Sequence, residues 1–128
     1  MFTDLLFIYG TLLPGLRLAH EMEGAELMGA AQVRGHLYDI GSYPGLTKGD
    51  GLVKGEIYRV TPEHLQRLDR VEEVVLSDQL ASLYWRERIE VVSGPFAHHL
   101  VWIYRYNRTV KGLKRIPGGD YRRFLSES

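Results

Sequence analysis

The run Leu5-Leu6-Phe7-Ile8-Tyr9 leads without a polar side chain other than the tyrosine hydroxyl into Gly10-Thr11-Leu12-Leu13-Pro14-Gly15. An apolar run this short, with no alternation, reads as a strand buried on both faces. Such a strand has no wet side, so the rest of the chain must pack around it. Gly10 then lets the backbone turn or approach a ligand closely, and Thr11 adds a hydroxyl. Past the strand end, amide N–H groups lack a sheet partner and can cradle an anion such as a carboxylate. The same residues also suit an ordinary strand followed by a Pro-Gly turn.

What can surround that strand is bounded by size and charge. The chain has 128 residues, which predicts one domain over 1–128 with room for a proper core. Sixteen basic side chains balance sixteen acidic ones, so charge points to neither nucleic acid nor an acidic membrane surface as a partner. With no cysteine there is no disulfide, thiolate metal site or cysteine nucleophile. No apolar run reaches the length of a membrane span, and Met1-Phe2-Thr3 lacks the basic region of a secretory signal, so a cytoplasmic protein is expected.

Residues 16–23 read as a short helix or a surface turn closed by Gly24. Residues 25–40 look extended, with Gly29 and Gly35 as bulges or points of close approach. Two turn signals follow, 41–45 and Lys48-Gly49-Asp50-Gly51, before a strand over 53–60. Strands over 84–92 and 97–106 flank the turn Ser93-Gly94-Pro95. Asp120 is placed to cap a short helix near the end of the chain.

Thr61-Pro62-Glu63 is a strong helix start: a capping hydroxyl, a proline suited to the first position, and an acid at the positive dipole end. The helix is expected to run to about Glu72. At 100° per residue, Glu63, Gln66, Arg67 and Arg70 form a polar face opposite Leu65 and Leu68. Glu72 is seven residues after Leu65 and four after Leu68, near the middle of the apolar stripe. Partial burial, the negative dipole end, and the neighbours Asp69 and Glu73 all act to raise its pKa, which suits proton transfer. Alternatively the helix stops at Val71 and Glu72 turns to water or pairs with an arginine.

Other signals carry less. His98 and His99 are adjacent and would point to opposite faces of a strand, and His20, His36 and His64 are scattered, so no metal site is expected. The loop after Tyr9 lacks the glycine spacing and lysine of a phosphate loop, and no nucleophile elbow supports a serine triad.

The ordered set Tyr9-Gly10-Thr11-Leu12, Gly35-His36-Leu37-Tyr38, Tyr43-Pro44-Gly45, Gly55-Glu56-Ile57-Tyr58, Leu68-Asp69-Arg70-Val71-Glu72 and Tyr84-Trp85-Arg86 resembles the γ-glutamylcyclotransferase-like family, with its γ-glutamylamine cyclotransferases and AIG2-like proteins. The resemblance extends through Trp102-Ile103-Tyr104 to Gly119-Asp120-Tyr121. It implies an α+β fold, a small, mostly antiparallel β-barrel with flanking short helices. It implies conversion of a γ-glutamyl amine or peptide to 5-oxoproline without a cofactor. By resemblance, Glu72 is the catalytic acid/base and Tyr9, Gly10, Thr11 and Leu12 form the substrate loop. Tyr84 lines the same cavity, with Tyr38, Pro44 and Tyr104 as further substrate-binding candidates. The family glutamate is usually followed by glycine, and here Glu73 follows it. A catalytically silent binding or interaction protein that keeps the pocket is the rival, and an open cavity beside Glu72 would favour the enzyme. The leaving amine and the oligomeric state do not follow from these residues.

Overall fold

The computed structural model describes residues 4–127, so the reading of Met1, Phe2 and Thr3 falls outside the described residues. In chain order the strands are β1 (Asp4–Ile8), β2 (Glu26–Asp39), β3 (Pro44–Val60), β4 (Tyr84–Ser93), β5 (Leu100–Tyr106) and β6 (Arg115–Ile116). Two α-helices, α1 (Pro62–Val71) and α2 (Tyr121–Ser126), flank them.

Strand β3 pairs antiparallel with both β1 and β2, which closes the ring β3-β1-β5-β4-β2 into a five-stranded barrel. The β1–β5 junction, through Leu6 and Trp102, is parallel, whereas β4 runs antiparallel to both β5 and β2. The expected α+β class and mostly antiparallel small barrel are therefore present. Closure pairs the strand edges with one another instead of leaving them open.

Strand β1 shows why its sequence does not alternate. Phe7 points into the barrel, against Val33, Leu37, Val53, Ile57, Val101 and Ile103. Leu6 and Ile8 point outward, against Leu65 and Leu68 of α1 and against Tyr58, Tyr84 and Tyr104. Both faces are buried, so both demand apolar residues.

The bulges fall where the glycines predicted them: the β2–β3 register shifts between Leu27 and Gly29 and again between Arg34 and His36. The second turn, Lys48-Gly49-Asp50-Gly51, is corrected. Strand β3 continues through it, pairing Thr47 with His36 and Leu52 with Arg34, so those residues stand as an extended bulge opposite Gly35. Turn-like composition serves a bulge equally well when both flanks keep the same partner strand. Strand β5 begins at Leu100 rather than Ala97, because Val91 and His98 bond across the turn first.

The helix caps form as read. Thr61 Oγ1 accepts the His64 N–H at 3.1 Å, and Asp120 Oδ1 accepts the Arg123 N–H at 3.2 Å. Residues 16–23 hold a 3-10 helix, Ala19–Met22, rather than a regular helix. Among the described residues, no helix is long and apolar enough to cross a membrane.

Candidate active site

Where β1 ends, its glycine loop meets the end of α1 over a cavity of about 320 Å³. Tyr9, Gly10, Thr11 and Leu12 line it from the loop, and Glu72 lines it from the helix end. Pro44, Tyr84 and Tyr104 complete the wall from β3, β4 and β5. Tyr38 is the predicted site residue that does not join them. Leu37 is fully buried in the barrel core, so strand alternation turns half-buried Tyr38 to the other face of β2.

The loop is held by its own carbonyls. The Gly10 carbonyl accepts the Leu13 N–H at 2.9 Å, and the Thr11 carbonyl accepts the Leu18 N–H at 2.8 Å. The N–H groups of Gly10, Thr11 and Leu12 find no acceptor among the described residues. Donors without an internal partner beside a cavity are suited to an incoming anion. Gly10 is needed for closeness: a Cβ there would lie 2.7 Å from Pro44 Cγ, on the opposite wall.

Glu72 is the cap residue of α1, whose last helical residue is Val71. The helix stops where the alternative reading put it, yet Glu72 remains half-buried in the cavity wall. The reason is the way the helix ends. The Glu73 N–H bonds the Arg70 carbonyl at 3.2 Å and the Val74 N–H bonds the Asp69 carbonyl at 2.8 Å, a Schellman closure. This closure needs a left-handed residue just past the cap, and Glu73 supplies it at φ 56°. Glycine would do so without the cost of a Cβ. Burial pushes the Glu72 carboxyl up to about 7; Glu73 adds to the rise, and the Arg17 guanidinium opposes it. Asp69, expected to contribute, is instead paired elsewhere.

Asp69 is buried and grips Arg86 with both oxygens, at 2.8 and 3.0 Å, while also accepting the Tyr104 hydroxyl at 2.8 Å. Tyr9 donates its hydroxyl to the Tyr104 carbonyl at 2.5 Å, and Tyr84 donates to the Pro44 carbonyl at 2.5 Å. All three phenols are held protonated by burial, and the negative charge on Glu72 adds to this. Their protons are committed to protein acceptors. Of the phenols and carboxyls whose shifts place them around this cavity, Glu72 is the one poised near neutrality.

Two residues at or beside the cavity have placements that the sequence does not make plain. Asp69 had a usable signal, since it lies four residues after Leu65 on the same apolar stripe. Arg17 had none: it reaches the cavity because the loop folds back through the Leu18–Thr11 hydrogen bond. His98 and His99 take separate acceptors, Glu90 Oε2 and the Phe96 carbonyl. Among the described residues no group of three or more His, Cys, Asp or Glu is placed to hold a metal ion.

Comparison with known proteins agrees with this architecture. Residues 6–123 match the family model described as gamma-glutamyl cyclotransferase, AIG2-like. The gamma-glutamylcyclotransferase family protein YtfP of Escherichia coli (strain K12) is 34% identical over 117 residues, covering 91% of this chain and 94% of YtfP. Gamma-L-glutamyl-butirosin B gamma-glutamyl cyclotransferase of Niallia circulans is 40% identical over 111 residues, covering 84% of this chain and 70% of that protein. The crystal structure of an AIG2-like protein from Mus musculus superposes with a TM-score of 0.76 at 24% identity, covering 94% of this chain and 89% of the mouse chain. The chain belongs to the gamma-glutamyl cyclotransferase, AIG2-like family and is an enzyme of the γ-glutamylcyclotransferase type.

Proposed function

We propose that this protein cyclises a γ-glutamyl amine or γ-glutamyl peptide to 5-oxoproline and releases the amine, with Glu72 as general acid and base. One observation carries the reading. A carboxyl with its pKa raised to about 7 shares a cavity with backbone amides that have no acceptor among the described residues. An open cavity in that place favours the enzyme over a silent binding protein.

The substrate α-amine arrives as an ammonium and cannot attack. Ionised Glu72 takes one proton. The freed nitrogen lone pair then attacks the γ-carbonyl carbon, closing a five-membered ring and moving charge onto the carbonyl oxygen. Because both partners belong to one molecule, the enzyme gains mainly by holding the folded rotamer. The amides of Gly10, Thr11 and Leu12 serve as donors to substrate oxygens. The carbon–nitrogen bond to the leaving amine breaks as Glu72 returns its proton to that nitrogen. The ionised carboxylate then takes the surplus proton from the ring nitrogen, leaving the lactam N–H, and passes it to the departing amine, which leaves as an ammonium. The rings of Tyr9, Tyr84 and Tyr104, together with Pro44, shape the wall against which the substrate folds. No cofactor enters this scheme, and the partner is a small molecule.

The test is a screen of γ-glutamyl amines and dipeptides for release of 5-oxoproline, run beside Glu72→Gln. Turnover by the parent protein and its loss in the variant are expected. Equal turnover in both proteins would remove Glu72 from the chemistry.

A further inference from the structure

The structure gives no fold-based reason for Arg17. It is exposed, it lines the cavity, and its guanidinium makes no hydrogen bond or ion pair among the described residues. Among the cavity-lining residues it is the single cation, set against Glu72 and Glu73. We propose that Arg17 binds the α-carboxylate of the γ-glutamyl substrate, leaving the Gly10, Thr11 and Leu12 amides to the oxyanion that develops on the γ-carbonyl. This rests on the cyclotransferase reading of the cavity and assigns a role to each end of the substrate.

Three arguments converge. The first is charge. The substrate carboxylate enters a half-buried site that already holds two carboxylates, and neutral amides alone would leave it unneutralised. The second is connectivity. The α-amine must reach Glu72, and bond lengths keep the α-carboxylate within about 3–4 Å of that amine. Arg17 and Glu72 line the same cavity, and Arg17 is the cation whose charge acts on the Glu72 carboxyl. The third concerns timing. The α-carboxylate is charged throughout the reaction, so a permanent cation serves it as a binding group. The oxyanion exists only near the transition state, where preorganised neutral dipoles accelerate the step without tightening the ground state. A planar guanidinium also matches a carboxylate with two parallel hydrogen bonds, which a lysine cannot do.

The consequence is selectivity for acyl groups that carry an α-carboxylate. The decisive pair is γ-glutamyl methylamide and its descarboxy counterpart, γ-aminobutyryl methylamide, which would close to 2-pyrrolidinone. In Arg17→Ala, kcat/KM for the first should fall about 10- to 100-fold, mainly through KM, as expected for a lost charged hydrogen bond. Removing Arg17 also lifts its lowering effect on the Glu72 pKa, so the comparison is made well above pH 7, where Glu72 is ionised in both proteins. There the descarboxy compound should react equally with both, and Arg17→Lys should fall between on the carboxylate compound. Binding of the products gives the same comparison without turnover: Arg17→Ala should weaken 5-oxoproline but leave 2-pyrrolidinone unchanged. γ-Glutamylglycine, whose leaving amine bears its own carboxylate, should lose no more than the methylamide. A larger loss there would give Arg17 to the leaving group and overturn the proposal, as would equal losses on the carboxylate and descarboxy compounds. If the parent protein neither releases nor binds 5-oxoproline, the cyclotransferase reading fails first. If it does both and Arg17→Ala changes nothing, only the Arg17 assignment fails.

Discussion

The barrel interior and the layer between β1 and α1 grow from opposite faces of one strand, yet they are held together differently. Inside, Phe7 meets mostly aliphatic side chains that are almost wholly sequestered, with Tyr9 at the cavity end, and close packing carries most of the stability. Outside, Leu6 and Ile8 pack in a layer with tyrosines, one of which, Tyr104, donates to Asp69 of the Asp69–Arg86 pair, and the cavity opens at the edge of that layer. The buried hydroxyls and carboxylate of that layer, on Tyr84, Tyr104 and Asp69, each have a named partner. Glu72 has no hydrogen-bonded partner of that kind and is raised by burial. Away from Tyr9 the interior can be judged largely by volume, whereas the outer layer must be judged group by group, and Glu72 stands at the edge of the second.

Substitutions can separate the two regions. The largest effect belongs to Glu72→Gln. Turnover should drop about 10²- to 10⁴-fold while the fold persists, as measured by 5-oxoproline release beside a melting curve. Its stability should move the other way. The folded-state pKa of about 7 lies above the ordinary value of 4.5, so stability from the protonated form is full below the ordinary value. It drains away as pH rises through 7. At pH 8 the glutamine variant lacks that loss and should be more stable by on the order of 1–3 kcal/mol, and a lower Tm than the parent there would contradict this.

Phe7→Ala reverses the pattern. It should cost about 3–5 kcal/mol of stability in denaturant unfolding while leaving the pH profile of the folded protein alone. Asp69→Ala probes the outer layer without touching the proton. It strands Arg86 and leaves the Tyr104 hydroxyl only its longer bond to the Leu65 carbonyl, for a loss of roughly 2–4 kcal/mol. Asp69→Asn should recover part of that loss, because the amide keeps one acceptor. Equal damage from both variants would mean that charge, not hydrogen bonding, holds the layer.

The pH profile provides a finer test. The acidic limb of kcat/KM should lie near pH 7, since Glu72 must be ionised to accept the proton. The smallest effect is expected from Glu73→Gly. It removes a like charge and should move that limb to lower pH. It also relieves a left-handed side chain, worth about 1 kcal/mol in stability. An unchanged limb would show that Glu73 does not act on Glu72 from its place on the cavity wall.

Local chemistry explains what was readable in advance. The unbroken run of β1, the Thr61-Pro62 start of α1 and the Asp120 cap depend on a few neighbouring residues, so each could be read directly. Glu72 was readable because helical phase carries it into the apolar stripe even where the helix stops. Lys48 to Gly51 was misread because whether a glycine-rich stretch turns or bulges depends on a partner strand far away in sequence. Tyr38 was misplaced for a related reason: alternation reveals two faces of a strand but not which one the cavity occupies. Arg17 owes its position to a loop fold with no periodicity to detect. Asp69 was readable by the same phase argument as Glu72, but it was counted only as a charge near the helix end.

The Schellman closure has a consequence for how the sequence can drift. The groups that set Glu72 in place are main-chain carbonyls of Leu68, Asp69 and Arg70, and any side chain at an exposed position brings the same carbonyl. The outward residues Glu63, Gln66, Arg67 and Arg70 can therefore be exchanged over generations without displacing the carboxylate. Selection on the outer surface of α1 is in that sense uncoupled from selection on the acid at its end. A population can alter the solubility or contacts of this helix without altering the position of its working group.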